Sequence, residues 1–272
     1  MNMRTFTVEL SVVPNEMARE EIRKQIVFLS QEIQNPRFSA DNRCIQFDAP
    51  EESYARLAAE IKILATRIER ALRNLERKSR FSFMPTGNPV HSEGFSLDGV
   101  DFLGNGQALM HGVPLALMRY LDRVFESFGQ RWSAQPVQAP TLIPDTVLAR
   151  CDYFRSFPQY VTFATHLRED VQLVNAFRAR HETATQLDSE SLADMARPDA
   201  CLSPAMCYHV YHWHQNRTIS PGPNAFGICG HCFRYESSNM SSLKRLWNFT
   251  MREVVFLGAR ENVLKAVTSR SR

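Results

Sequence analysis

The sequence has no uninterrupted apolar run approaching the ~18 residues that a membrane-spanning helix requires, so it does not read as a helical membrane protein. It has little net charge. Its 32 Lys and Arg stand against 29 Asp and Glu, leaving +3, too small an excess to argue from composition for nucleic acid. Six cysteines (Cys44, Cys151, Cys201, Cys207, Cys229 and Cys232) lie scattered through 272 residues. That is unlike the dense framework of a small secreted domain, so reduced thiols or metal ligands are expected rather than disulfides. Met1 to Val12 lacks a basic region followed by an apolar core, so it does not read as a signal peptide, and a cytoplasmic location is expected. There is no internal repeat and no low-complexity tract. What is present is ordinary: 44% hydrophobic and 22% charged residues describe a folded globular chain, and the length suits two units.

Thr5 to Val13 reads as a strand because β-branched and aromatic residues recur near period two, until Pro14-Asn15 interrupts them. Glu16 to Ile33 carries Ile22, Ile26 and Leu29 at helical spacing, and Arg43 to Phe47 returns to strand character. From Tyr54 to Lys78 the apolar positions Leu57, Ile61, Leu64, Ile68, Leu72 and Leu75 repeat every three or four residues, predicting one long amphipathic helix. Its outer face bears Arg67, Arg70, Arg73, Arg77 and Lys78. A solvated helix face explains them better than RNA contact does.

Ser79 to Asn105 is rich in Ser, Gly, Pro and Asn, which punctuate regular structure and mark a boundary. Beyond it, Pro114 suits the first turn of a helix, Leu117, Leu121, Val124 and Phe128 form a stripe expected to be buried, and Gly129 a stop. Strand-like pieces follow at Thr141–Ile143, Tyr160–Thr165, Met206–His214, Ala225–Tyr235 and Phe249–Leu257. Arg168–Arg180 and Ser189–Ala196 read as helical or irregular.

The chemistry concentrates in Phe233-Arg234-Tyr235-Glu236 and, after a polar stretch, in Arg245-Leu-Trp-Asn-Phe249-Thr-Met-Arg-Glu253. Residues at i and i+2 share a strand face, so Arg234 and Glu236 are expected to point together, and Phe249, Met251 and Glu253 to line one face of the returning strand. An arginine fork for phosphate, a carboxylate that accepts from an amino group and an aromatic face for a base suit a nucleotide.

This pattern resembles motif 2 of the class II aminoacyl-tRNA synthetases, a Phe-Arg-x-Glu strand, a loop, and a strand with Arg-x-x-x-Phe. The resemblance implies that Arg234 holds the α-phosphate of ATP, Glu236 the adenine or pyrophosphate side, and Arg245 the γ-phosphate, while Phe249 stacks on adenine. The subgroup it resembles most is the atypical seryl-tRNA synthetases of methanogenic archaea with the amino acid:[carrier protein] ligases. Those hold a catalytic zinc between Cys, Glu and Cys, and Cys207 and Glu253 match the first two ligands; such a metal needs three protein ligands and an open position. The Tyr153-Phe-Arg-Ser-Phe-Pro158 segment resembles the stretch after motif 1, and the Pro114–Phe128 helix resembles motif 1, the dimer element.

The implied fold is α+β, an antiparallel class II synthetase-like catalytic sheet flanked by helices over residues 98–272. A small β-α-β-α domain at 1–80 and a linker at 81–97 precede it. The implied activity uses ATP and Mg2+, with Zn2+, to activate Ser, Gly or Ala as an aminoacyl-adenylate. The acceptor expected first is an acidic carrier protein's phosphopantetheine thiol, with a tRNA as the alternative, and the assembly a homodimer. The sequence departs from the pattern after Glu253: Gly258 to Arg272 has no Cys and no Gly-rich element bearing an ATP-binding Arg. The expectation there is a truncated member or a non-catalytic paralogue. Cys229-Gly-His-Cys232 has half-site zinc spacing, and His212 and His214 would share a strand face away from His209. Structural roles are expected for this group before a dedicated metal site.

Overall fold

The computed structural model describes residues 3–75, 98–237, 240 and 242–268; the expected linker at 81–97 and Arg77 and Lys78 lie outside them. Contacts divide the chain into two compact units, and Ser237 and Met240 group with the first.

In the first unit β1 (Met3–Glu9) is followed by α1 (Glu16–Gln25), β2 (Gln34–Phe38), β3 (Cys44–Pro50) and α2 (Tyr54–Leu72). The sheet is antiparallel in the order β1-β3-β2. β1 stops at Glu9 rather than Val13, and Asn15 caps α1 by accepting from the Ala18 amide at 2.8 Å, the role a short polar side chain plays at a helix start. β2 was not expected from the sequence. It is an edge strand carrying Pro36 and an irregular register between Gln34 and Arg37, and proline is tolerated only at such edges. Between α1 and β2 a 3-10 turn, Ile26–Phe28, replaces the last part of the expected helix.

The core of this unit is where the periodicities meet. Val8, Ile45, Phe47 and Ala49 point inward from the sheet, and Ile22, Leu57, Ile61, Leu64 and Ile68 from the helices, all nearly inaccessible. Burying each such side chain contributes ~1.5–3 kcal/mol. The stripe on α2 ends sooner than its spacing predicts, because Leu75 lies past the helix and is exposed.

The second unit runs through β4 (Val100–Gly104), β5 (Gln107–Met110), α3 (Gly112–Gln130), β6 (Gln135–Val137), β7 (Leu142–Pro144), α4 (Asp145–Arg150), α5 (Tyr153–Ser156), β8 (Phe163–Ala164), α6 (Val171–Arg180), α7 (Ser189–Ala193) and β9 (Ala200–Leu202). It then continues with α8 (Cys207–Trp213), β10 (Asn224–Phe233), β11 (Asn248–Leu257) and α9 (Arg260–Thr268). β4 and β5 form a hairpin, β7-β9-β8 a small antiparallel sheet, and β11-β10-β6 the sheet that carries the site. β10 and β11 pair antiparallel over ten residues, from Asn224 opposite Leu257 to Phe233 opposite Asn248, and β6 adds to β10 in parallel.

Two expectations fail here. Met206–His214 is not a strand: Cys207–Trp213 is the helix α8, whose Val210 is wholly buried against the sheet. The stripe on α3 is not buried either, since Leu117 is 55% and Leu121 39% exposed. α3 meets the sheet through Asp122, Glu126 and Gly129 instead, which turns Val113, Leu117 and Tyr120 outward. Among the described residues, no helix is long and apolar enough to cross a membrane.

Candidate functional site

The alternation of side chains along the β10–β11 pair builds the site. Ile228, Gly230 and Cys232 stand opposite Glu253, Met251 and Phe249, so these six occupy one face. α8 lies on that face, with Met206 and Val210 packed into it beside Ile228 and Cys232. Gly230 permits this approach. A Cβ at that position would lie 2.4 Å from the Met206 sulfur.

Docking α8 brings Cys207 to Glu253. The Glu253 carboxylate and the Tyr211 hydroxyl are close enough to the Cys207 thiol to act on its ionisation. Burial first, and the Glu253 charge second, push that thiol up to about 11, since both disfavour a second anion. Glu253 Oε2 is buried with no hydrogen-bond partner among the described residues, an orphaned acceptor of the kind that a cation satisfies. Cys232, on the neighbouring strand, is raised to about 12 by burial and then by the same Glu253.

As a test of the implied zinc, Cys207 and Glu253 are neighbours of the sulfur and carboxylate types that zinc takes. Yet among the described residues no group of three His, Cys, Asp or Glu is arranged to hold a metal. Two candidate donors are fewer than the three protein ligands that such a site needs.

Arg234 lies just beyond β10, where its amide still pairs with the Trp247 carbonyl at 2.9 Å. Its Nε donates to the Pro204 carbonyl at 3.0 Å, and its guanidinium carbon stands 5.4 Å from the centre of the Phe249 ring. The loop supplying Pro204 is itself anchored: Ser203 is wholly buried, its Oγ donates to the Ala205 carbonyl at 2.9 Å, and its carbonyl accepts from the Phe233 amide. Phe249, Arg234, Cys207 and Glu253 therefore meet on one side of the sheet.

Glu236 and Arg245 form a second group. β10 ends at Phe233, so the expected sharing of a strand face by Arg234 and Glu236 does not occur. Glu236 makes an ion pair with Arg245 instead, while Arg234 turns to Pro204 and Phe249.

The Cys and His residues upstream and downstream do not gather. Cys229 and Cys232 are three apart on a strand and face opposite ways; the Cys229 thiol donates to Asp122 at 3.5 Å. His209 Nε2 meets Ser203 Oγ at 3.1 Å, and burial lowers its basicity. His214 Nδ1 meets the Val210 carbonyl at 3.0 Å, while His212 is exposed. A helix, not a strand, carries them, so His212 and His214 do not share a face.

Several neighbours were not singled out from sequence. Tyr211 follows Cys207 by four, the spacing that places side chains one above the other on a helix, and reading the segment as a strand hides it. Tyr153 is nearly buried, with its hydroxyl pushed up to about 12 by burial, and feels the Arg234 charge. Its ring packs edge-on against Tyr208 at 5.8 Å. On the opposite sheet face a groove of about 600 Å³ runs between α3 and β11, lined by Met118, Phe125, His231, Thr250 and Arg252 among others.

No family model matches the sequence, and no curated protein does. Solved structures do match in fold. A SerRS of M. kandleri, crystallised with A. aeolicus tRNASec, is 18% identical with a TM-score of 0.55, over 98% of this chain and 55% of that one. A Giardia lamblia prolyl-tRNA synthetase bound to prolyl-adenylate gives 15% identity and a TM-score of 0.47, over 62% of this chain and 31% of that one. A Naegleria fowleri cytoplasmic serine-tRNA ligase with AMP gives 12% and 0.41, over 56% and 30%. The chain thus has a class II synthetase-like fold and spans about half the length of the SerRS it matches.

Proposed function

We propose that this chain activates a small amino acid with ATP, forming an aminoacyl-adenylate and releasing pyrophosphate. The observation that carries the reading is the meeting of Arg234, Phe249, Cys207 and Glu253 on one face of the β10–β11 pair. Residues 98–272 would be the catalytic domain and 1–80 an accessory domain.

In this reading the substrate carboxylate attacks the α-phosphorus in line, and magnesium accompanies the phosphates. Arg234, held from behind by Pro204 and from below by Phe249, offers its remaining guanidinium hydrogens to the α-phosphate. A fixed donor aimed at developing charge needs no reorganisation during the reaction. Phe249 supplies a flat apolar wall for adenine on the strand next to that arginine. Arg245, oriented by Glu236, would reach the terminal phosphates. Cys207 and Glu253 would be two ligands of a zinc ion that, when bound, supplies a Lewis-acid position for the substrate amino group. Serine, glycine and alanine are the amino acids this reading anticipates. The outward apolar face of α3 would pair two copies into a homodimer.

For the acceptor, the likeness to a tRNA-bound SerRS over 98% of this chain favours a tRNA. A carrier-protein phosphopantetheine thiol is the alternative, and transfer assays with each acceptor separate them. The activation step is tested by ATP–pyrophosphate exchange across a panel of amino acids. Exchange above an Arg234→Ala control is expected with a small amino acid. Exchange no greater than that control would overturn the reading in favour of a nucleotide-binding protein without turnover.

A further inference from the structure

The face of the sheet turned away from Cys207 carries a polar group that the proposed activity does not use. Arg252 sits between Met251 and Glu253 on β11 and, by the alternation of the strand, points to the opposite side. There its Nε and Nη2 donate to the two carboxylate oxygens of Asp122 on α3, at 2.5 and 2.8 Å, in a planar two-point bond. Nη1 lies 3.4 Å from Glu126, one turn further along α3, and the Cys229 thiol, directly opposite Arg252 on β10, donates to the same Asp122 oxygen at 3.5 Å. The Arg252 side chain is only 15% exposed, so this is a partly desolvated clamp of fixed geometry rather than a loose surface pair.

The clamp joins three elements at one point: α3, β10 and β11. Its arginine is the residue immediately before Glu253, so the strand cannot slide or roll against α3 without breaking it. On the near side Glu253 has no comparable anchor, since Oε2 is without a hydrogen-bond partner among the described residues. We infer that Asp122 is a positioning residue, which through its two-point bond to Arg252 fixes the setting of β11 and so holds Glu253 against Cys207. The assignment rests on the proposed roles of Glu253 and Cys207, but its test does not require activity.

The test is alkylation of the native full-length protein with iodoacetamide, read cysteine by cysteine by peptide mass spectrometry. Cys201 is wholly buried on β9 in a different sheet and reports general loosening. Asp122→Ala is expected to raise the rate at the half-buried Cys207 several-fold relative to Cys201. Asp122→Asn, which keeps one acceptor, should do so less, and the exchanged pair Asp122→Arg with Arg252→Asp should return the ratio towards the native value. Where exchange activity is present, the Michaelis constant for the amino acid should rise more than that for ATP. An unchanged Cys207 to Cys201 ratio in Asp122→Ala, or a rise of both together without recovery in the exchanged pair, would overturn the inference. Absence of exchange activity in the native protein with the alkylation pattern intact would count against the proposed activity and not against the clamp.

Discussion

The guanidinium of Arg234 stands over the ring of Phe249, 5.4 Å from its centre, with Nε tied to the Pro204 carbonyl. Two residues at the facing ends of paired strands thus form one preorganised surface, half cation and half aromatic wall. A cation held over a ring is worth ~0.5–2 kcal/mol, but its larger effect is to fix where the free edge of the guanidinium points.

Arg234→Ala is expected to lower ATP–pyrophosphate exchange by about 10²–10³-fold, the usual cost of one fixed donor at developing charge. Arg234→Lys should recover little, because an ammonium lacks the planar fork that lets one edge donate to Pro204 while another faces the phosphate. Exchange kinetics with saturating amino acid check this; near-native activity in the lysine variant contradicts it.

Gly230→Ala puts a methyl group 2.4 Å from the buried Met206 sulfur. Overpacking of this kind typically costs about 1–3 kcal/mol, and Met206 adjoins Cys207, so α8 should shift as well. Urea unfolding of the variant measures the loss. In the double variant with Met206→Ala the two penalties should sum to less than their separate values, because the residues touch.

If Cys207 and Glu253 hold zinc, the purified protein should contain the metal in an amount matching the chain, and Cys207→Ser and Glu253→Gln should each lose most of it. Elemental analysis decides. Protein without zinc whose activity is indifferent to Cys207→Ser contradicts the assignment.

Thiol burial sets an alkaline limit. Cys201 and Cys207 are raised to about 11 and Cys232 to about 12, from an ordinary 9.0. Above about 9 the unfolded chain therefore loses protons that the folded chain keeps, and stability falls as pH rises from there through 11 to 12. At the acid end the sign reverses. The Arg252 bond lowers the Asp122 carboxyl below its ordinary 3.8, so the stability it contributes is present above that value and is lost on further acidification. Denaturant midpoints across both ranges check the two limbs, and Asp122→Asn should flatten the acid one.

Much of the first unit is legible in the sequence because its elements are long and strongly periodic. The stripe Leu57, Ile61, Leu64, Ile68 on α2 is buried as its spacing predicts, since an amphipathic helix next to a sheet has one way to hide it. β2 is not legible, because an edge strand with a proline and a register shift has no alternation to read.

In the second unit the β10–β11 pairing was legible from alternation. The seven residues of α8 were not, because Tyr, Val, His and Trp have no strong helix preference and a short apolar run is equally a strand. The stripe on α3 shows the converse: the helix was legible, but not which side meets the sheet, because Asp122 and Glu126 face Arg252 and leave Leu117 outside.

By itself the sequence determined which strand face Phe249, Met251 and Glu253 share, because period-two alternation is a property of the backbone alone. Only the tertiary structure decided that Cys207 reaches Glu253 from a helix, that Arg234 and Glu236 part company, and that Arg252 locks the strand from behind. Those outcomes depend on packing between segments tens of residues apart, where Gly230 leaves room for Met206 and Asp122 meets Arg252.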